Sequence, residues 1–389
     1  MGLFSETNFF ICLAVTVIGA IILGLKGKNI KYYGFAVSGF FVFMAMLEKP
    51  AALAYLAGFC IYDFALIRIY LEVHRRKGKH ELTYWLFITL SIAPLAVSKI
   101  LGTTGNPHHI LAFLGISYMT FKGTQIIIEI YDELITRVKA FDFFYLMLFF
   151  PAITSGPIDR SRRFSEDLER MIPKSEYADM AGTGLFRICL GLFYKVVIAA
   201  LFYQAMTVCM QQNTLYGEIG YMYTYGFYLF FDFAGYSHMA IGAGYIFGIK
   251  VPENFDRPFI SKDIKEFWNR WHMTLSMWFR DFIFSRMMMR ILKKKVFKNR
   301  LTGSSIAFVV NMSIMGSWHG LTSYYLMYGL YHGLLLAFTD VYQRKSKIYK
   351  KHRKEKGFKL LEWFVTFNLV MFGFYLFSGR LTHILMIPF

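Results

Sequence analysis

Long apolar stretches alternate with short polar ones along nearly the whole chain. Apolar runs lie near residues 7–25, 31–47, 50–71, 82–100, 108–131, 184–210, 219–247, 304–318, 323–341 and 360–378. A helix needs about 20 apolar residues to cross the hydrocarbon of a bilayer, so each run predicts a span or most of one. The pattern predicts an all-α, polytopic integral membrane protein of roughly ten or eleven spans.

The polar connections set an orientation. Lys26, Lys28 and Lys31 follow the first run, Arg75, Arg76, Lys77 and Lys79 the third, and Arg137 and Lys139 the fifth. A dense basic block, Arg344 to Lys359, follows the ninth. The alternate connections "GTTGNP" (102–107) and "QQNTLYGE" (211–218) carry no Lys or Arg. Basic loops stay on the cytoplasmic side, which predicts an N-terminus outside.

Two stretches break the alternation. "FFYLMLFFPAITSGPIDRSRRF" (143–164) and "WHMTLSMWFRDFIFSRMMMR" (271–290) each have basic segments at both ends. The first is interrupted at Pro151 and at Gly156-Pro157; the second carries Arg280, Asp281, Arg286 and Arg290. Both are expected to be re-entrant or interfacial. Broken backbone at membrane depth requires burial in protein or a water-filled cavity, so they predict an internal, solvated hollow.

Composition sharpens this picture. Of 389 residues, 56% are hydrophobic and only 17% charged, yet the formal net charge is +18. A soluble protein could not hide so much apolar surface, and no polar linker divides the chain, so residues 1–389 are expected to form one membrane domain. The basic excess is clustered beside spans, as at a cytoplasmic membrane face that meets anionic lipid, and does not point to nucleic acid. Cys12, Cys60, Cys189 and Cys209 are scattered singly, with no spacing that suggests a metal site. The start "MGLFSETNFF" lacks the basic segment of a cleavable signal, so the first span is expected to remain.

Ten histidines are the candidate chemistry. His74, His80 and His352 sit in basic loops and read as surface residues. His108 and His109 follow Pro107 at an expected outer helix start, and His383 carries no pattern. His238, in "FDFAGYSHMAIGAGY", reads as a packing residue bonded to a hydroxyl such as that of Tyr236 or Ser237. His332, in "YGLYHGLLL", reads equally as a hydrogen-bonding link between helices. His272, in "EFWNRWHMTLS", enters the charged re-entrant stretch. His319, in "SIMGSWHGLTSYY", lies where the eighth run meets the ninth, flanked by Gly316 and Gly320, which permit close approach. An ordinary core role remains open for both. A neutral imidazole in a wet cavity suits acyl transfer: it takes a proton from a hydroxyl acceptor and returns it to a leaving thiol. There is no GxSxG elbow or recognisable Cys–His pair for a covalent route.

At these residues the chain resembles the membrane-bound O-acyltransferase superfamily. The resemblance rests on "YLFFDFAGYSHMAIGAGYIFGIKVPENFDRPFISKDIKEFWNRWHMTLSMWFRDFIF" (228–284) and "NMSIMGSWHGLTSYYLMYGLYHGL" (311–334), within an expected catalytic region at 228–334. In that superfamily an upstream Asn or His pairs with an essential downstream His; His272 and His319 occupy those positions. "FFPAITSGPIDRSRRF" (149–164) and "MGSWHG" are similar to the DltB-type branch, which D-alanylates bacterial teichoic acids.

The resemblance implies a ring of helices in the bacterial plasma membrane around a central funnel and tunnel that meet near His319. Trp318, Trp271, Asn269, Gly320 and Ser317 would line or support that tunnel. It further implies a D-alanyl thioester on the phosphopantetheine arm of a small acidic carrier protein, a teichoic acid acceptor and membrane partners of the same pathway. No cofactor or metal would be bound by the chain itself. Arg286, Arg290, Lys293, Lys294 and Lys295 could steer an acidic carrier, or merely touch lipid phosphate. Two alternatives stand beside this reading: acetylation of an exported polysaccharide, as in the alginate acetylase branch, and transport of an activated intermediate.

Overall fold

Within the described residues, the apolar runs fold as helices. The computed structural model describes residues 3–4, 6–103, 113, 115–212 and 214–385, and among them there is no strand. The histidine pair expected at 108–109 and most of its loop lie outside the described residues. The long helices are α1 (Thr7–Leu25), α2 (Lys31–Met46), α3 (Pro50–Lys77), α4 (Glu81–Thr103) and α5 (Ile116–Tyr131). Of the two interrupted stretches, the first is a pair of short helices, α6 (Ala140–Leu148) and α7 (Ser161–Glu169), broken at the prolines.

Beyond it, α8 (Lys174–Leu192) continues through a π-helical turn at Phe193–Ile198 into α9 (Ala199–Gln211). The run from Lys174 to Gln211 has 38 residues, more than the about 20 that one bilayer core needs. The ten residues before 184 extend this helix past the run seen in sequence, because Lys174, Ser175 and Glu176 form a polar first turn. Next come α10 (Leu215–Ile246), then the second interrupted stretch as α11 (Ile264–Arg270), α12 (Met273–Phe279) and α13 (Ser285–Lys293). The chain ends in α14 (Arg300–His319), α15 (Ser323–Lys345), α16 (Lys347–His352), α17 (Lys356–Phe377) and α18 (Arg380–Ile384). Among the described residues, five segments are long and apolar enough by themselves to cross a membrane: α1, α3, α4, α8–α9 and α17.

The chain divides into two compact units, one of Met1–Phe193 with Gly235–Pro252 and the other of Tyr194–Ala234 with Glu253–Phe389. The first unit has an aromatic core in which Phe4, Phe9, Phe41, Phe150, Tyr177 and Phe247 are buried. Tyr177 donates its hydroxyl proton toward two carbonyls, Ala20 at 3.0 Å and Ile246 at 2.8 Å, fastening α8 to α1 and α10. There α5 is buried almost along its whole length, and its Lys122 ammonium is satisfied by the carbonyls of Leu146 (2.8 Å) and Ala152 (3.4 Å). Buried amines are tolerated only with such partners.

In the second unit a buried carboxylate, Asp340 on α15, gathers three neighbours. It accepts from Lys265 of α11 (2.6 Å), Ser304 of α14 (2.8 Å) and Arg344 of its own helix (3.0 Å). From α17, Trp363 donates to the Phe259 carbonyl (2.8 Å) and Thr366 to the Lys262 carbonyl (2.9 Å). The segment leading into α11 is thus held by α17, and α11 itself by α15.

Candidate active site

The α14–α15 hairpin packs closely because its facing positions are small. A Cβ on Gly329 would come within 2.5 Å of the Met312 carbonyl oxygen, and one on Gly316 within 2.4 Å of the Tyr325 carbonyl oxygen. Small residues let helix backbones approach where lipid offers no hydrophobic drive. The chain turns at Gly320, whose backbone is extended, and a Cβ there would meet the Tyr325 ring at 2.6 Å. His319 therefore ends α14 at a tight corner, half-buried. Phe377 meets its ring edge-on at 5.0 Å, Tyr325 lies at 5.7 Å, Tyr328 at 6.3 Å and Trp318 at 4.5 Å between centroids.

A second corner places His272. Asp263 caps α11 by accepting from the Glu266 backbone N–H at 2.9 Å, and Glu266 in turn accepts from the Lys262 N–H at 3.0 Å, a reciprocal start signal for a short helix. The helix stops after Arg270, and His272 adopts φ +42° and ψ +53°, the left-handed region that non-glycine residues rarely visit. Buried Asn254 locks the turn: its carbonyl accepts from the Met273 N–H (2.9 Å) and its side chain from the Thr274 hydroxyl (2.8 Å). Strain of this kind persists only where surroundings over-determine it. The His272 ring is buried, stands edge-on to Phe233 at 4.7 Å, and lies within electrostatic reach of His319. Its Nε2 is buried with no hydrogen-bond partner among the described residues.

Around this pair, Trp271 packs against Phe374 (4.6 Å), Phe255 (5.1 Å) and Phe267 (5.7 Å), forming an aromatic wall. Ser317 donates to the Ser313 carbonyl four residues back at 2.9 Å, so its hydroxyl is used within α14. Asn269 is exposed on α11, beside buried Phe267 and Trp268. Arg290 of α13 and the residues that follow, Lys293, Lys294 and Lys295, are exposed, while Arg286 is half-buried. Their helix, α13, has one charged and one apolar face, as suits a membrane surface.

The expectations for His332, His74 and His352 need correction. The His238 ring lies 3.4 Å from the Arg187 guanidinium, and the hydroxyl of its neighbour Tyr236 pairs with that of Thr154. His332 is no hydrogen-bonding link; it is fully buried, and neither ring nitrogen meets a partner among the described residues. His74 sits in the last turn of α3 against the rings of Tyr70 and Tyr131, and His352 ends α16, so neither lies in a loop. Asn254, Tyr328 and Phe377 carry no sequence signal of their role, because each reaches its histidine from a distant segment or another helix.

A half-buried imidazole near a second histidine, walled by aromatic rings, can hold an acyl donor and move a proton. Comparison with known proteins gives that chemistry a family. Residues 52–377 match the membrane-bound O-acyltransferase family. The chain belongs to it. As a membrane-bound O-acyltransferase it is a membrane enzyme that transfers acyl groups, and its all-helical build agrees. It is 42% identical to the teichoic acid D-alanyltransferase of Bacillus subtilis (strain 168), over 98% of both chains. It is 39% identical to that of Streptococcus thermophilus, over 97% of this chain and 95% of the relative. The probable alginate O-acetylase of Pseudomonas fluorescens is 32% identical, over 71% of this chain but 53% of its own length.

Proposed function

We propose that this acyltransferase moves D-alanine from a carrier-borne thioester to a hydroxyl acceptor, serving D-alanylation of teichoic acid. The observation that carries this reading is the 42% identity to a teichoic acid D-alanyltransferase from end to end, against half-length matches to the alginate acetylases. The donor is the thioester of a phosphopantetheine arm on an acidic carrier, steered by the exposed basic residues at 290–295, with the N-terminus of the chain outside. The ring of helices and the tunnel through it belong to this proposal, as does the single domain of 389 residues.

His319 acts as the general base. Its unprotonated ring nitrogen takes the acceptor's hydroxyl proton as that oxygen attacks the thioester carbonyl. The tetrahedral adduct then expels the thiolate, breaking the C–S bond, and the imidazolium returns its proton to the sulfur. No net proton is gained or lost. His272 supports the reactants beside it. A base of this kind contributes about 10²–10⁴ in rate, and orientation supplies much of the remainder.

The test is His319→Ala in proteoliposomes supplied with charged carrier and acceptor. Transfer should fall by about 10²–10⁴ while insertion and thermal unfolding stay near wild type. Transfer within a fewfold of wild type would remove His319 from the role.

A further inference from the structure

His332 poses a problem that the mechanism leaves open. It is fully buried on α15, its Nδ1 and Nε2 have no hydrogen-bond partner among the described residues, and neutral imidazole carries one donor and one acceptor. Trp268 of α11 stands perpendicular to it at 5.2 Å, and its indole Nε1 is also buried without a partner. Two donors and an acceptor thus face each other in an aromatic chamber formed with Phe267, Tyr328 and Tyr331. Each such group costs free energy unless something satisfies it, so clusters of them ask for an explanation.

The opposite wall is also adapted. Gly373 of α17 faces the ring, and a Cβ there would lie 2.4 Å from Nε2. The α17 backbone thus approaches the ring too closely for any residue but glycine. Tyr328 joins this chamber to the active site, since its ring touches both His332 (4.7 Å) and His319 (6.3 Å). Along α15, His332 is seven residues beyond Tyr325, about 10 Å of helix rise, toward the Lys265–Asp340 end.

We propose that His332 and Trp268 form a hydrogen-bonding subsite for an amide group of the acyl donor's arm, a short way from the thioester held at His319. This rests on the carrier-thioester reading above. An amide offers both an N–H and a carbonyl, the complement of an imidazole acceptor and an indole donor. A phosphopantetheine arm carries amides a few bonds from its sulfur. The subsite fixes how deeply the arm enters, and so where the reacting carbonyl stops.

The test compares two donors with full-length protein in proteoliposomes: D-alanyl-pantetheine, which has the amides, and the D-alanyl thioester of ethanethiol, which has none. His332→Phe keeps the ring and removes both nitrogens; Trp268→Phe removes the N–H; His332→Gln restores hydrogen bonding. For D-alanyl-pantetheine, His332→Phe and Trp268→Phe should each lower kcat/KM about threefold to tenfold, as for one lost hydrogen bond, with His332→Gln closer to wild type. For the ethanethiol ester all variants should match wild type. Should His332→Phe fail to insert, Trp268→Phe and His332→Gln carry the comparison. Equal losses with both donors would make the effect one of packing, and no loss with either would leave the groups to internal water; both overturn the subsite. If wild-type protein transfers neither from these thioesters nor from the charged carrier, the donor reading itself fails, a result distinct from these.

Discussion

Gly329→Ala adds one methyl group where α14 and α15 touch. The new Cβ would sit 2.5 Å from the Met312 carbonyl oxygen and 3.0 Å from the Gly316 Cα, whereas ordinary contact begins at 3.4 Å. Both neighbours are backbone and cannot rotate away, so the helices must part by about 0.9 Å, the difference between 2.5 and 3.4 Å. Overpacking of this kind costs about 1–3 kcal/mol. Gly316 is one turn before His319, so the opening falls where the imidazole is aimed. A misplacement of about 1 Å can lower a positioned reaction by about 10²-fold. The assay is D-alanine transfer in proteoliposomes beside thermal unfolding in detergent. The control is Gly58→Ala on α3, where a Cβ meets nothing within 4 Å and alanine favours the helix. Gly329→Ala should lose most transfer at a modest loss of stability, and Gly58→Ala should lose neither. Wild-type transfer by Gly329→Ala would refute the claim that glycine contacts aim His319.

The remaining predictions concern the second corner and the charged face. His272→Asn should fold as wild type because Asn tolerates the left-handed region, whereas His272→Val should lose about 1–3 kcal/mol, since a β-branched residue at φ +42° is strained. Equal unfolding midpoints would show that the corner is not held as described. Replacing Lys293, Lys294 and Lys295 together by Gln should raise KM for charged carrier and flatten its salt dependence, while kcat stays unchanged. A KM insensitive to both charge and salt would return these residues to a lipid-facing role.

What was legible in the sequence follows from the range of the interactions involved. Long apolar helices were readable because burial in a bilayer acts on every residue of a run, and α1 occupies the very residues of the first run. The breaks at Pro151 and Gly156-Pro157 were readable because proline acts on its own backbone. The ends were less so: α8 starts ten residues before its apolar run, and α16 and α18 are too short and too polar to register. At the site, His319 and His272 were marked by their immediate neighbours. The left-handed turn at His272 was not, since Asn254 imposes it from eighteen residues upstream. Nor was the isolation of His332, which depends on Trp268 and Gly373 on two other helices. The Arg187 guanidinium beside His238 shows the same limit, since it comes from α8, fifty-one residues upstream.

Position and base strength can be separated experimentally. If Gly329→Ala acts by moving His319, the two substitutions damage one and the same step. In the His319→Ala background there is no imidazole left to misplace, so adding Gly329→Ala should cost little more than His319→Ala alone. Residues that act as a unit behave in this non-additive way, whereas independent defects multiply. A double variant slower than His319→Ala by the full factor lost in Gly329→Ala would mean that the hairpin shapes something other than the base, such as the acceptor's path. A double variant no slower than His319→Ala would tie the close approach of α14 and α15 to the aim of that single ring.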